Sequence, residues 1–189
     1  PRMHRVLSAF DLIYSDVWGP SPVMVLSGYQ YYVTFINDFS RSTWVYLLKK
    51  KSEIFSLFTQ FLRMIKTQYH TIVRNIWLDN GREYISNDFR SHLNQQGILH
   101  QLTCPYTPKQ NGATECKNRH IMTVVQYLLR GMALPKYLWH LAVLTATYLI
   151  NRTPSRVLSG KAHLQILHLD RTLLSCASSI WVYLFCSKS

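Results

Sequence analysis

Hydrophobic and polar positions change their spacing several times along this chain, and each change marks an element. Leu12 to Trp18 alternates weakly and stops at Gly19-Pro20, the pattern of a strand with a breaker after it. Tyr31 to Ile36 is rich in β-branched and aromatic residues and predicts a second strand. Asn37 to Arg41 is a turn and Thr43 to Leu48 a third strand, which makes a hairpin. The period then lengthens: Ile54, Phe58, Phe61 and Ile65 recur at helical spacing, with Ser52 placed to cap the helix. Ile72 to Leu78 returns to strand and halts at Asp79-Asn80-Gly81. Asn87 to Gln96 reads as a short helix with Gly97 as its stop, and Ile98 to Leu102 as a short strand. Pro105 to Gly112 is irregular. From Thr114 to Arg130 the helical period resumes, with Ile121, Val124, Val125 and Leu128 on one face, and Pro135 opens a last helix through Ile150. This order of strands and helices is an α/β arrangement. Beyond Pro154 the pattern dissolves, so the chain divides into residues 1–154 and an extension, 155–189, in which no element is predicted.

Composition narrows the class. The chain has 189 residues, 48% hydrophobic and 16% charged, enough apolar material for one domain with a core and too much for a disordered polypeptide. The longest late uncharged run, Thr172 to Ser187, is 16 residues and contains Ser and Thr, short of the roughly 20 apolar residues of a spanning helix. A soluble domain with no membrane partner is expected. Cys104, Cys116, Cys176 and Cys186 form no C-x-x-C pair and no secretory signal opens the chain, which points to free thiols in a reducing compartment. A start at Pro1 rather than Met is expected of a piece of something longer.

Charge changes the picture more. Lys and Arg number 21 against 9 Asp and Glu, a net +12, which makes a polyanion, most often nucleic acid, the candidate partner. Acids are therefore scarce, and three occupy places that a packed core would not choose. Asp16 lies inside the first strand, Asp79 at the end of the strand through Trp77-Leu78, and Glu115 in the first turn of a helix, bordering its apolar face. Carboxylates drawn from two strands and a helix to one sheet edge suit hard cations such as Mg²⁺ or Mn²⁺. Two such ions can clamp the attacking and leaving oxygens of a phosphoryl displacement. Taken singly, each acid also has an ordinary explanation: Asp79 as a turn former, Glu115 as a first-turn acid favoured by the helix dipole.

The words around the acids decide between these readings. Ser15-Asp16-Val17-Trp18-Gly19-Pro20, Phe35-Ile36-Asn37-Asp38-Phe39-Ser40-Arg41 and Asp79-Asn80-Gly81-Arg82-Glu83-Tyr84 come in this order. After them follow Cys104-Pro105-Tyr106-Thr107-Pro108-Lys109-Gln110-Asn111-Gly112, Glu115-Cys116-Lys117-Asn118-Arg119-His120 and Tyr148-Leu149-Ile150-Asn151-Arg152-Thr153-Pro154. Over about residues 10–170 this series resembles the integrase catalytic core of copia-type LTR retrotransposons. The resemblance implies a ribonuclease H-like fold, a mixed five-stranded sheet flanked by helices. It also implies a metal-binding catalytic triad, which by motif is Asp16, Asp79 and Glu115, using two Mg²⁺ or Mn²⁺. The implied reaction trims element DNA at its 3′ ends and joins those ends to target DNA, as a homo-oligomer. The implied setting is the nucleus, with a cytoplasmic particle stage. Lys117, Asn118 and Arg119 follow Glu115 at a helix start that favours phosphate, and Lys109, Gln110 and Asn111 lie in the Pro-bounded loop, so both groups are expected to meet DNA. Asp38 is expected to be a turn residue rather than a ligand.

Departures from the family pattern supply an alternative. Tyr14 stands for a usual His, Trp77-Leu78 for Arg-Ser, Thr114 for Ala and Cys116 for Arg, each reachable by one C-to-T or G-to-A transition. Cys176 to Trp181, His163 and His168 depart further. They describe a decayed or repurposed relic that still holds DNA but performs no chemistry. A nuclease of the same fold, with water in place of a DNA 3′ hydroxyl, is a third reading. Zinc is not expected, because the His100-x3-Cys104 and Cys116-x3-His120 pairs lack the spacing of common zinc modules.

Overall fold

The computed structural model describes residues 6, 8–78, 81, 84, 86–102 and 112–167. Strands β1 (Leu12–Trp18), β2 (Tyr31–Asn37) and β3 (Thr43–Leu48) form an antiparallel meander, and β4 (Asn75–Leu78) and β5 (Leu99–Leu102) run parallel to β1. The order across the sheet is β3-β2-β1-β4-β5. The helices are α1 (Ile54–Tyr69), α2 (Asn87–Gln95), α3 (Gly112–Gly131), α4 (Trp139–Arg152) and α5 (His163–Leu167). This is the mixed five-stranded sheet flanked by helices that the resemblance implies.

Strand alternation sends residues to two faces. Ile13, Val33, Phe35, Ile76 and Leu78 pack with Ile54, Phe58, Phe61 and Ile65 of α1 and with Phe89 and Leu93 of α2. Each fully buried Phe, Leu or Ile there contributes about 1.5–3 kcal/mol of transfer free energy. On the other face Tyr32, Ile121, Val125, Trp139, Val143, Ala146 and Ile150 form a second cluster under α3 and α4, with Trp18, Val45 and Leu47 against it. Tyr14, Asp16 and Trp18 share this face, since their partners across β2 are Ile36, Thr34 and Tyr32.

Several boundaries differ from the sequence reading. Ser52 sits inside a 3₁₀ turn, Lys51–Glu53, that feeds α1, and the cap position falls to Glu53, whose side chain makes no cap bond to the helix. β4 begins at Asn75 because β1 begins at its partner, Leu12, and leaves residues 72–74 no strand to pair with. Pro135 is extended and precedes a 3₁₀ turn, Lys136–Leu138, so α4 starts at Trp139. Gly97 does end α2, at φ 66°, with Ile98 N–H donating to Leu93 O. Beyond Pro154 the structure adds a 3₁₀ turn, Arg156–Leu158, a bridge between Pro154 and Ala162, and α5. Elements so short carry no periodicity. They are held by burial of Leu158, Ala162 and Leu164 and by His163 Nδ1, 2.9 Å from Ile150 O. Among the described residues no helix is long and apolar enough to cross a membrane.

Candidate active site

Asp16 is the fifth residue of β1, half-buried on the α3 side of the sheet. Two donors hold its carboxylate: Val17 N–H reaches Oδ1 at 2.9 Å, and the Asn118 amide Nδ2 donates to Oδ2 at 2.7 Å. Thr34, its partner across β2, donates its hydroxyl to Asp16 O at 3.3 Å. Asn118 is there because Thr114, Asn118, Ile121 and Val125 are the buried stripe of α3, which lies across β1 and β2. Its Oδ1 is also buried and has no hydrogen-bond partner. A buried acceptor left free beside a carboxylate is an electron-rich position that a hydrated cation fits, because water on the ion has protons to donate. Close by, the Tyr32 hydroxyl is buried without a partner, and burial, then the Asp16 charge, push it above its ordinary range.

Glu115 lies one turn before Asn118 on α3, exposed. Asp79 lies outside the described residues, as do Lys109, Gln110 and Asn111. Asp79 follows Leu78 directly, and β4 runs beside β1 with Trp77 opposite Tyr14. Among the described residues no three His, Cys, Asp or Glu side chains form a metal-binding group.

The residues after Glu115 separate. Lys117 turns inward and donates from Nζ to Arg41 O at 3.3 Å; burial, then the Arg41 charge, lower it to about 8. Asn118 turns to Asp16, and Arg119 alone of the three is exposed. The helix-start pattern gave all three to DNA and did not contain a partner for Asn118 inside the protein. Its signal was available: a polar residue on an apolar stripe, three before Ile121 and seven before Val125. Asp38 sits in the β2–β3 turn as expected, 3% exposed, with its carboxylate 2.9 Å from Arg41 Nη2 and accepting from Val6 N–H. The Asn151 amide closes the other end of this face, donating to Thr43 O at 2.7 Å and accepting from Thr43 N–H at 3.0 Å. Tyr14 and Trp77, both departures from the family pattern, meet at 6.0 Å between ring centroids, and the buried Trp77 Nε1 has no partner.

Comparison with known proteins agrees with this architecture. The family model described as Integrase core domain matches residues 8–108. The retrovirus-related Pol polyprotein from transposon TNT 1-94 of Nicotiana tabacum is 44% identical over 151 residues, 80% of this chain and 11% of the relative. That from transposon RE2 of Arabidopsis thaliana is 39% identical over 155 residues, 82% of this chain and 10% of the relative. The chain thus spans about a tenth of the length of these curated relatives. Among solved structures, a simian T-cell lymphotropic virus intasome in complex with a PP2A regulatory subunit superposes with TM-score 0.71 at 21% identity, covering 91% of this chain and 59% of that one. The HTLV-2 integrase catalytic core domain in complex with magnesium gives 0.64 at 22% identity, covering 86% and 99%. The fold is therefore ribonuclease H-like, and the chain belongs to the integrase core domain family.

Proposed function

We propose that this chain is the catalytic core of a DNA integrase, with Asp16, Asp79 and Glu115 holding two Mg²⁺ or Mn²⁺ and with element ends and target DNA as substrates. One observation carries the reading: Asp16 is held at both oxygens while the amide that holds it keeps a buried acceptor free. Divalent ions bound there supply charge stabilisation to the oxygens that enter and leave phosphorus. The chain's own residues do the remaining work. Val17 and Asn118 fix the direction of the Asp16 carboxylate, so that no reorientation is required when substrate arrives. Arg119, exposed one turn after Glu115 on α3, offers its guanidinium to phosphate. Lys109, Gln110 and Asn111 extend that contact along the DNA. Residues 1–154 form this core and 155–189 its extension, in a homo-oligomer that works on chromosomal DNA in the nucleus. The related integrase core solved in dimeric and trimeric forms supports the oligomer.

A strand-transfer assay on labelled branched DNA, with Mn²⁺ or with EDTA and beside Asp79→Asn, tests the reading. Joining that needs metal and is lost in the variant is the expected result. Trp77 favours a second reading: an unpartnered indole N–H, costing about 1–3 kcal/mol, sits on the β1–β4 seam beside Tyr14. A relic that drifted at this seam folds and binds DNA but shows no joining in either buffer.

A further inference from the structure

The segment that links β4 to α2 contains Asp79 and ends in a buried tyrosine that the chemistry above does not use. Tyr84 is 2% exposed, and its hydroxyl lies 2.8 Å from Ser15 Oγ, a buried bond between residues 69 apart in sequence. Its ring stands edge-on to Phe89 at 5.5 Å, and its N–H donates to Gly81 O at 3.0 Å. Ser15 is 0% exposed and immediately precedes Asp16 in β1. Because β1 and β4 are parallel with Tyr14 opposite Trp77, Leu78 follows on beside Ser15, and both point into the α1 side of the core. The chain is therefore fastened on both sides of Asp79: before it by Leu78 in the sheet, and five residues after it by Tyr84. The second fastening is made to the residue next to Asp16.

A polar bond in the middle of an apolar core is an expensive way to fill space, since Phe would bury as much surface without a hydroxyl to satisfy. What the hydroxyl adds is a fixed length between two chain segments. We infer that Tyr84 is a positioning residue: its bond to Ser15 sets the separation between the strand that holds Asp16 and the chain segment that follows Leu78 and contains Asp79. The inference rests on the metal-binding role proposed for these two acids. It acts through the backbone from the opposite face of the sheet, so Tyr84 itself touches neither ion nor DNA.

The test is Mn²⁺ binding to the whole chain, measured by calorimetry and by the loss of free-ion paramagnetic signal, at a temperature where circular dichroism shows each variant folded. Tyr84→Phe removes one oxygen and keeps the ring, and Ser15→Ala removes the partner while leaving Tyr84 intact. Each is expected to weaken Mn²⁺ binding on the order of tenfold, and the double variant no further, because the two groups act as one unit. A purely structural bond lowers the melting temperature and leaves Mn²⁺ affinity alone. If both single variants bind within about twofold of the wild type while Asp16→Asn loses binding, the positioning role is overturned and the metal site stands. If the wild type binds no Mn²⁺, or Asp16→Asn binds as well as the wild type, the metal site itself falls and the inference with it.

Discussion

Replacing Asn118 by Ala removes the amide that donates to Asp16 Oδ2 at 2.7 Å. A hydrogen bond to a charged group contributes about 1.5–3 kcal/mol. The same substitution also removes the buried, unpartnered Oδ1, whose desolvation costs the native protein about 1 kcal/mol. Without metal the net loss is therefore about 0.5–2 kcal/mol, or about 1–8 °C in melting temperature for a chain of this length. With metal the difference grows. A cation that binds only the folded state stabilises it by about 2.7 kcal/mol at a hundred times its Kd. A loss of the acceptor beside Asp16 that weakens binding about tenfold reduces this to about 1.4 kcal/mol at the same concentration. Thermal melts of both proteins in EDTA and in excess Mn²⁺ supply all four values. If Asn118→Ala melts with the wild type in EDTA, the bond to Asp16 holds nothing. If its Mn²⁺-dependent rise equals that of the wild type, the free acceptor has no part in holding the ion.

Two further predictions follow from other parts of the face. His163 is 8% exposed, and burial first, then the Lys117 charge, lower it to about 4 from an ordinary 6.5. Its folded value lies below its unfolded one, so the unfolded chain takes up the proton first; stability is full above about pH 6.5 and is lost as pH falls toward 4, by at most about 3 kcal/mol. His163→Asn, which keeps a donor for Ile150 O, is expected to flatten that segment of a urea-unfolding series against pH, and an unchanged slope would show that His163 takes up its proton as readily in the fold as in the unfolded chain. For DNA, Arg119→Ala should weaken binding to any sequence and reduce the slope of log affinity against log salt by about 0.9, as loss of one phosphate contact requires; a wild-type slope in a filter-binding series removes Arg119 from the interface.

The sheet was legible because its strands alternate or are β-branched and its long helices repeat at 3.6. Asp16 was legible for the opposite reason, as a charge inside a strand where the pattern called for something else. What escaped were partnerships across long sequence separations. Nothing local links Asn118 to Asp16, Tyr84 to Ser15 or Asn151 to Thr43, pairs 102, 69 and 108 residues apart. In each pair one polar side chain occupies an apolar stripe or a buried strand, and that misfit is the only trace a single sequence carries. The short pieces after Pro154 escaped for a different reason: burial against α4 makes them, and their own propensity does not.

The two faces of the sheet differ in a way that bears on which reading of the chain can be right. The α1 side is closed from β3 to β4 by one apolar core, with α2 against β5. The other side is closed by α3 over β1 and β2 and by α4 over β3, while on β5 Leu99 is 69% exposed and Gln101 is exposed as well. Asp16 stands where the covered half meets the open half. Deeper in, a carboxylate loses its charge to desolvation; farther out, water competes with Val17 and Asn118 for its orientation. At this border Val17 and Asn118 hold the carboxylate at both oxygens. Tyr14 and Trp77 lie on the same border, in register with each other and next to the chain's exit toward Asp79. Changes there alter what surrounds the acids while leaving the α1-side core, and with it the fold, intact. A drifted copy therefore keeps the fold at the cost of the unpartnered Trp77 N–H, and joining of DNA ends is the property in which the two diverge most.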